Sequence, residues 1–149
     1  MTEISLRSVT EADRKLLFDW ANDREVRKNS FSTQEITWEE HCAWFARIMS
    51  DENVLQYVME EEGKAAGQIR FAIKDDTAEI SYSIAGEYRG RGLAKRMVKL
   101  GMEKAVSERP KITEFTARVK PENVISSKVF CTLGFDENER GTFTYYPGR

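Results

Sequence analysis

Two glycines and two arginines stand together in Tyr88-Arg89-Gly90-Arg91-Gly92-Leu93-Ala94, between an alternating apolar run and a stretch of helical periodicity. Those residue types in that place make an anion site. Glycine permits positive φ and lets a ligand approach the backbone closely. Free N–H groups at a helix start point outward at the positive end of its dipole, and arginine adds charge-assisted bonds to phosphate oxygens. No Lys-Ser or Lys-Thr follows, so the stretch is not a P-loop, and a dinucleotide fingerprint needs a third glycine and an acidic residue closing a later strand. Taken alone, a Gly-x-Gly turn is as readily an ordinary strand-to-helix connection, so its surroundings decide.

Glu79 stands on the polar side of the run that leads into this turn and is the candidate general base. The alternative is a diagonal ion pair with Arg70 across a hairpin, which would make it a poorer base. The single histidine, His41, shares a helical face with Trp38, Cys42 and Phe45, the pattern of a packed, hydrogen-bonded side chain. Cys42 and Cys131 lie far apart in helix-like segments, neither metal-ligand spacing nor a disulfide framework, so no metal is expected.

The elements that must position these groups follow from periodicity. Residues 4–9 alternate as a strand and stop at Thr10, with Asp13 at the capping-box offset. Leu16, Leu17, Trp20 and Val26 continue a helical spacing through a short break near Asn22 and Asp23, and Thr37 with Glu40 opens a second helix. Residues 54–59 predict a strand, 60–64 a turn around Gly63, 68–74 a second strand and 78–85 a third, joined by the pair Asp75-Asp76. Ile69, Phe71, Ile73, Ile80, Tyr82 and Ile84 fall on one side of this hairpin, with Gln68, Arg70, Glu79, Ser81 and Ser83 on the other. A helix over 91–108, a strand over 115–119, a helix from Pro121 to Leu133 and a strand over 142–146 complete an α/β domain of six or seven strands and four helices.

Length and charge bound the rest. The 149 residues suit one domain over 1–149, with enough core to fold without disulfides. With 23 Lys+Arg against 25 Asp+Glu, no global field attracts nucleic acid or an anionic membrane, so neither is an expected partner. Charges run through the first 15 residues, no apolar run approaches a membrane span, and free cysteines suit a reducing compartment, so a cytoplasmic protein is expected, as monomer or homodimer.

Arg89, Gly92 and Ala94 match the Arg/Gln-x-x-Gly-x-Gly/Ala signature of the GNAT superfamily of N-acetyltransferases, and Asn123, Ser126, Phe130, Gly134 and Phe135 resemble its second motif. The order of elements also resembles the GNAT fold, a central mixed sheet flanked by helices. The resemblance implies acetyl-CoA as donor, with its pyrophosphate cradled by Arg89, Gly90, Arg91, Gly92, Leu93 and Ala94, chiefly through backbone N–H groups. It implies that Ser83, Ile84 and Ala85 offer main-chain groups to the pantetheine amides, that Asn123 bonds the pantetheine arm, and that a base stands at Glu79. Many members carry a tyrosine acid where this chain has Phe130, so the proton donor is open among Ser126, Ser127, an ordered water and Tyr82, with direct release of thiolate to solvent as the alternative.

The segment from Trp20 to Arg27, then Phe31, then Trp38 to His41, resembles N-acetyltransferases of bacterial nonulosonic-acid pathways, which acetylate the 4-amino group of a UDP-linked amino sugar. That resemblance makes Arg27, Phe31, His41 and Phe45 candidates for the acceptor pocket, the arginine meeting phosphate and the aromatics flanking base or sugar, while Trp20, Trp38 and Trp44 are read as core. It implies a small-molecule primary amine as partner. Similarity to ribosomal-protein alanine N-acetyltransferases offers a peptide N-terminus instead, and the missing tyrosine offers a silent acyl-CoA-binding module.

Overall fold

The computed structural model describes residues 2–148. In chain order they form β1 (Ile4–Ser8), α1 (Arg14–Ala21), α2 (Arg24–Asn29), α3 (Trp38–Met49), β2 (Val54–Glu61), β3 (Lys64–Lys74), β4 (Thr77–Ile84), α4 (Leu93–Glu108), β5 (Glu114–Arg118), α5 (Val124–Thr132), β6 (Asp136–Glu137) and β7 (Thr142–Tyr145). Seven strands make one sheet in the order β1-β2-β3-β4-β5-β7-β6. Five α-helices stand where four were expected, because the Asp23 carboxylate accepts from the N–H groups of Glu25 and Val26 and so caps a new helix.

Alternation along the strands feeds two cores. Side chains such as Ile69, Phe71, Ile80 and Phe115 meet Met97, Val98 and Ala105 of α4 and Phe130 of α5. Burying a side chain of that size fully contributes about 1.5–3 kcal/mol. On the opposite face Val58 joins Val9, Leu17 and Phe45, with Trp20 and Trp44 packed against them, under α1 and α3. That second core covers only part of its face. The polar row of Gln56, Gln68, Arg70, Ser81, Ser83 and Glu79 is left beside it, facing a cleft.

The β2–β3 turn is shorter than the expected 60–64. Glu62 at φ 50° and Gly63 at φ 83° make a two-residue connection, the positive φ values matching the twist of the strands. A register shift after Met59 leaves Ala66 unpaired, which breaks the alternation through Lys64-Ala65-Ala66-Gly67 and hides the start of β3 in the sequence.

All neighbouring strands are antiparallel except β4 and β5, which run parallel and pair only through Thr77, Ala78 and Glu79 against Glu114, Phe115 and Thr116. Beyond Glu79 the two strands part. The rest of β4 therefore carries an unpaired backbone edge into the middle of the sheet.

A candidate active site between parted strands

A cleft of about 840 Å³ opens at the parting and runs from the Arg89–Ala94 turn, past β4 and α5, to the polar row under α1–α3. Its ends differ in chemistry. At the turn, Gly90 and Gly92 take φ of 76° and 74°, and Gly92 is the N-cap of α4. A Cβ at either would have nothing within 4 Å, so glycine is needed there for its backbone conformation and for the open approach it leaves. The first N–H groups of α4 have no carbonyl one turn back, and an anion seated there can take them up.

Which β4 groups face the gap follows from one bond. Ala85 N–H donates to Ala66 O at 2.8 Å, so Ala85, and by alternation Ser83, turn their backbone groups toward β3. Tyr82 and Ile84 point theirs into the gap, and Ile84 O there accepts from Arg89 Nε at 3.0 Å. This corrects the expectation for Ser83 and Ala85: the Ser83 main-chain groups and the Ala85 N–H are spent on the sheet, and Ala85 O accepts from Tyr88 N–H at 2.9 Å in the turn that follows. An extended amide chain laid along β4 can pair with Tyr82 and Ile84 as a strand would, and a thioester carbonyl there meets an N–H donor.

The geometry has a counterpart among characterised families. A family model described as an acetyltransferase (GNAT) domain matches residues 3–136. This chain belongs to the GNAT acetyltransferase family. An uncharacterised protein from Methanocaldococcus jannaschii is 26% identical over 94% of this chain. The chain spans only 29% of that relative's length. The crystal structure of a domain from the same organism superposes with a TM-score of 0.81 at 23% identity, over 97% of both chains. A spermidine N-acetyltransferase from Vibrio cholerae, in complex with CoA and spermine, superposes with a TM-score of 0.81 at 18% identity, covering 95% of this chain and 91% of its own. An aminoglycoside acetyltransferase in complex with coenzyme A gives 0.80 at 17%, covering 97% and 95%. These likenesses establish the GNAT fold.

Within this GNAT domain Ser83, Ile84, Arg89, Gly90, Gly92, Leu93, Ala94 and Asn123 line the cleft, while Ala85 and Arg91 do not. Both arginines of the turn are engaged by protein carboxylates rather than left free for phosphate. Arg89 bonds Asp23 at 2.8 Å, and Arg91 bonds Glu61 at 2.8 Å and lies over the Tyr88 ring. Asn123 caps α5, its Oδ1 accepting from Ser126 N–H at 3.2 Å, which leaves its amide N–H groups to the cleft.

Glu79 lines the cleft, but its partner is not Arg70. Directly across the hairpin from Glu79 stands Ala72, whereas Arg118 on β5 donates from Nε to Glu79 Oε2 at 2.8 Å. The pair is well exposed, and Oε1 has no protein partner among the described residues. Arg70 keeps a single hydrogen bond, from Nη2 to Ser81 Oγ at 3.4 Å, and its guanidinium lies 5.2 Å from the Trp44 ring centroid. Burial lowers its pKa, and a guanidinium still stays charged. Beside it Gln56 Oε1 is buried without a partner, although Gln56 Nε2 donates to Gln68 and Gln68 Nε2 to Ser83 Oγ.

The acceptor candidates divide. His41 and Phe31 line the cleft, Phe31 exposed with Arg118 stacked over its ring. His41 is 2% exposed among Phe18, Trp38, Trp44 and Phe45, and its Nε2 meets Arg14 O at 2.8 Å. A carbonyl only accepts, so Nε2 carries the proton; burial pushes the pKa down and keeps the ring neutral. Phe45 does not reach the cleft: one turn further along α3 it faces Val9, Leu17 and Val58, 1% exposed.

Arg27 lines the cleft as expected, but not in the role expected. Its guanidinium donates to the carbonyls of Ala21, Ser32 and Gln34 and to Ser30 Oγ, so it clamps the loop after α2 instead of offering a fork to phosphate. Trp20 and Trp44, read as core, line the cleft. Gln56 and Arg118 are the cleft residues the sequence did not single out, while Arg70, read as a possible partner of Glu79, and Trp44, read as core, take other places. Arg70 and Gln56 are cross-strand partners on β3 and β2, which the polar alternation of both strands permits but does not announce.

Proposed function

We propose that this GNAT domain transfers the acetyl group of acetyl-CoA directly to the primary amine of a small acceptor that also carries an anionic group, a nucleotide-linked amino sugar. The observation that carries the acceptor class is Arg70: a half-buried, charged guanidinium in the cleft with most of its donors unspent and no carboxylate in ion-pair contact among the described residues. Such a group is costly to leave unmatched and is matched by a phosphate or carboxylate. Trp44, Trp20 and Phe31 supply the flat apolar surfaces that flank a base or a sugar ring. Glu79, with Oε1 free, receives the proton of the attacking amine directly or through water.

Acetyl-CoA turnover followed by thiol release tests the reading, with UDP-4-amino-4,6-dideoxy sugars beside spermidine, kanamycin and N-terminal peptides. Saturable turnover of the nucleotide sugar is expected. Arg70→Gln should raise KM for that sugar about 10- to 100-fold, the value of a hydrogen bond to a charged group, with CoA affinity unchanged. Turnover confined to peptides or polycations overturns the acceptor class. CoA binding without turnover of any amine makes the domain a silent acyl-CoA module.

A further inference from the structure

The proton that the departing sulfur needs has no donor at position 130, where Phe130 is buried. The wall of the cleft beside it holds two hydroxyls in contact. Tyr82 OH lies 2.7 Å from Ser126 Oγ, and the Tyr82 ring stands edge-on to Phe130 with centroids 5.9 Å apart. Both residues line the cleft, whereas Ser127 does not. Two hydroxyls carry two protons and their mutual bond uses one. Neither oxygen has another hydrogen-bond partner among the described residues, so one O–H is left to be aimed into the cleft.

The position suits the task. Tyr82 is two residues past the first unpaired position of β4, with its backbone facing the gap and its side chain on the α5 side of the sheet. Glu79 and Arg70 lie on the opposite face. A pantetheine arm arriving from the α4 N-terminus comes along the α4–α5 side, so sulfur is met by Tyr82 while the amine is met by Glu79. Asn123 holds the first turn of α5, and with it Ser126, through its cap.

We propose that the Tyr82–Ser126 hydroxyl pair protonates the departing CoA sulfur, replacing the tyrosine that position 130 lacks. The assignment rests on acetyl-CoA being the donor. As the new N–C bond forms and the C–S bond breaks, the C–S electron pair goes to sulfur and the Tyr82 proton follows it. The phenolate is reprotonated from solvent through Ser126, and the proton lost by the amine leaves through Glu79. Burial raises the Tyr82 pKa, and the bond to Ser126 acts against that rise.

The same donor bonded to bound CoA thiolate lowers the thiol pKa, which can be read without any amine. Bound CoA is titrated by its thiolate ultraviolet absorbance in the wild type, Tyr82→Phe and Ser126→Ala. Tyr82→Phe keeps the ring on Phe130, and it should raise the bound thiol pKa by about one unit, a tenfold shift in the protonation equilibrium. Ser126→Ala should move it in the same direction, and it serves alone if Tyr82→Phe does not fold. With the nucleotide sugar, kcat should fall about 100-fold in Tyr82→Phe with KM unchanged. CoA bound with the same thiol titration in both variants overturns the assignment. Failure of the wild type to bind CoA overturns the donor reading itself.

Discussion

At the residue scale the cleft turns on which polar atoms are already spent. Arg27, Arg89 and Arg91 are engaged by loop carbonyls or carboxylates, while Arg70, one oxygen of Glu79 and the Tyr82–Ser126 pair retain capacity. For Glu79→Gln the expected outcome is a loss of about 100-fold in kcat with CoA affinity intact, and a steeper rise of rate with pH as the amine must lose its proton unaided; steady-state kinetics across pH checks it. His41 yields a stability prediction. Its pKa is lowered in the fold from the ordinary 6.5 by burial, so below that pH the unfolded chain binds the extra proton first. The stability its neutral form contributes is complete above pH 6.5 and declines as pH falls toward the folded value. Chemical denaturation of the wild type against His41→Gln should show this slope in the wild type only.

At the element scale, two glycines do different work. Gly92 caps α4 with a left-handed backbone, and Gly92→Glu puts bulk and negative charge at the proposed anion site. CoA binding should be abolished in calorimetry, with a folding loss of about 1–2 kcal/mol from the positive φ. Gly67, beside the bulge in β3, has Ser83 O only 2.8 Å from where a Cβ would stand. Gly67→Ala should therefore destabilise by about 1–3 kcal/mol, read as a lower denaturation midpoint. The short β4–β5 pairing is the element on which the site depends. A strand pair closed along its whole length would leave neither backbone groups nor room for a thioester.

At the scale of the whole molecule, an ion pair joins α2 to the glycine turn before α4. Asp23 caps α2 and binds Arg89 of the turn before α4, 66 residues on. Asp23→Ala should cost about 1 kcal/mol as a lost cap, and it should weaken CoA binding because Arg89 loses one of its two anchors. Thermal denaturation and calorimetry on the same variant separate the two effects. No helix among the described residues is long and apolar enough to cross a membrane.

The sequence by itself determined what is local or periodic. Strand alternation, the Thr37–Glu40 cap and the glycine turn before α4 were legible because each is set by residues a few positions apart, whereas α5, expected from Pro121, starts at Val124 behind the Asn123 cap. The bulge at Ala66 was hidden, and with it the start of β3 and the short form of the turn at Glu62-Gly63, because an extra residue in one strand breaks the very period that reveals strands. Only the tertiary structure decided which charges pair and which remain. Arg118 takes Glu79 from a strand 39 positions away, leaving Arg70 without a carboxylate in ion-pair contact among the described residues, and Tyr82 finds Ser126 across 44. Phe45 and His41, one turn apart on α3, part company because the helix lies with one residue over the second core and the other at its rim. Side-chain partners depend on how elements approach in space, and no spacing along the chain encodes that approach.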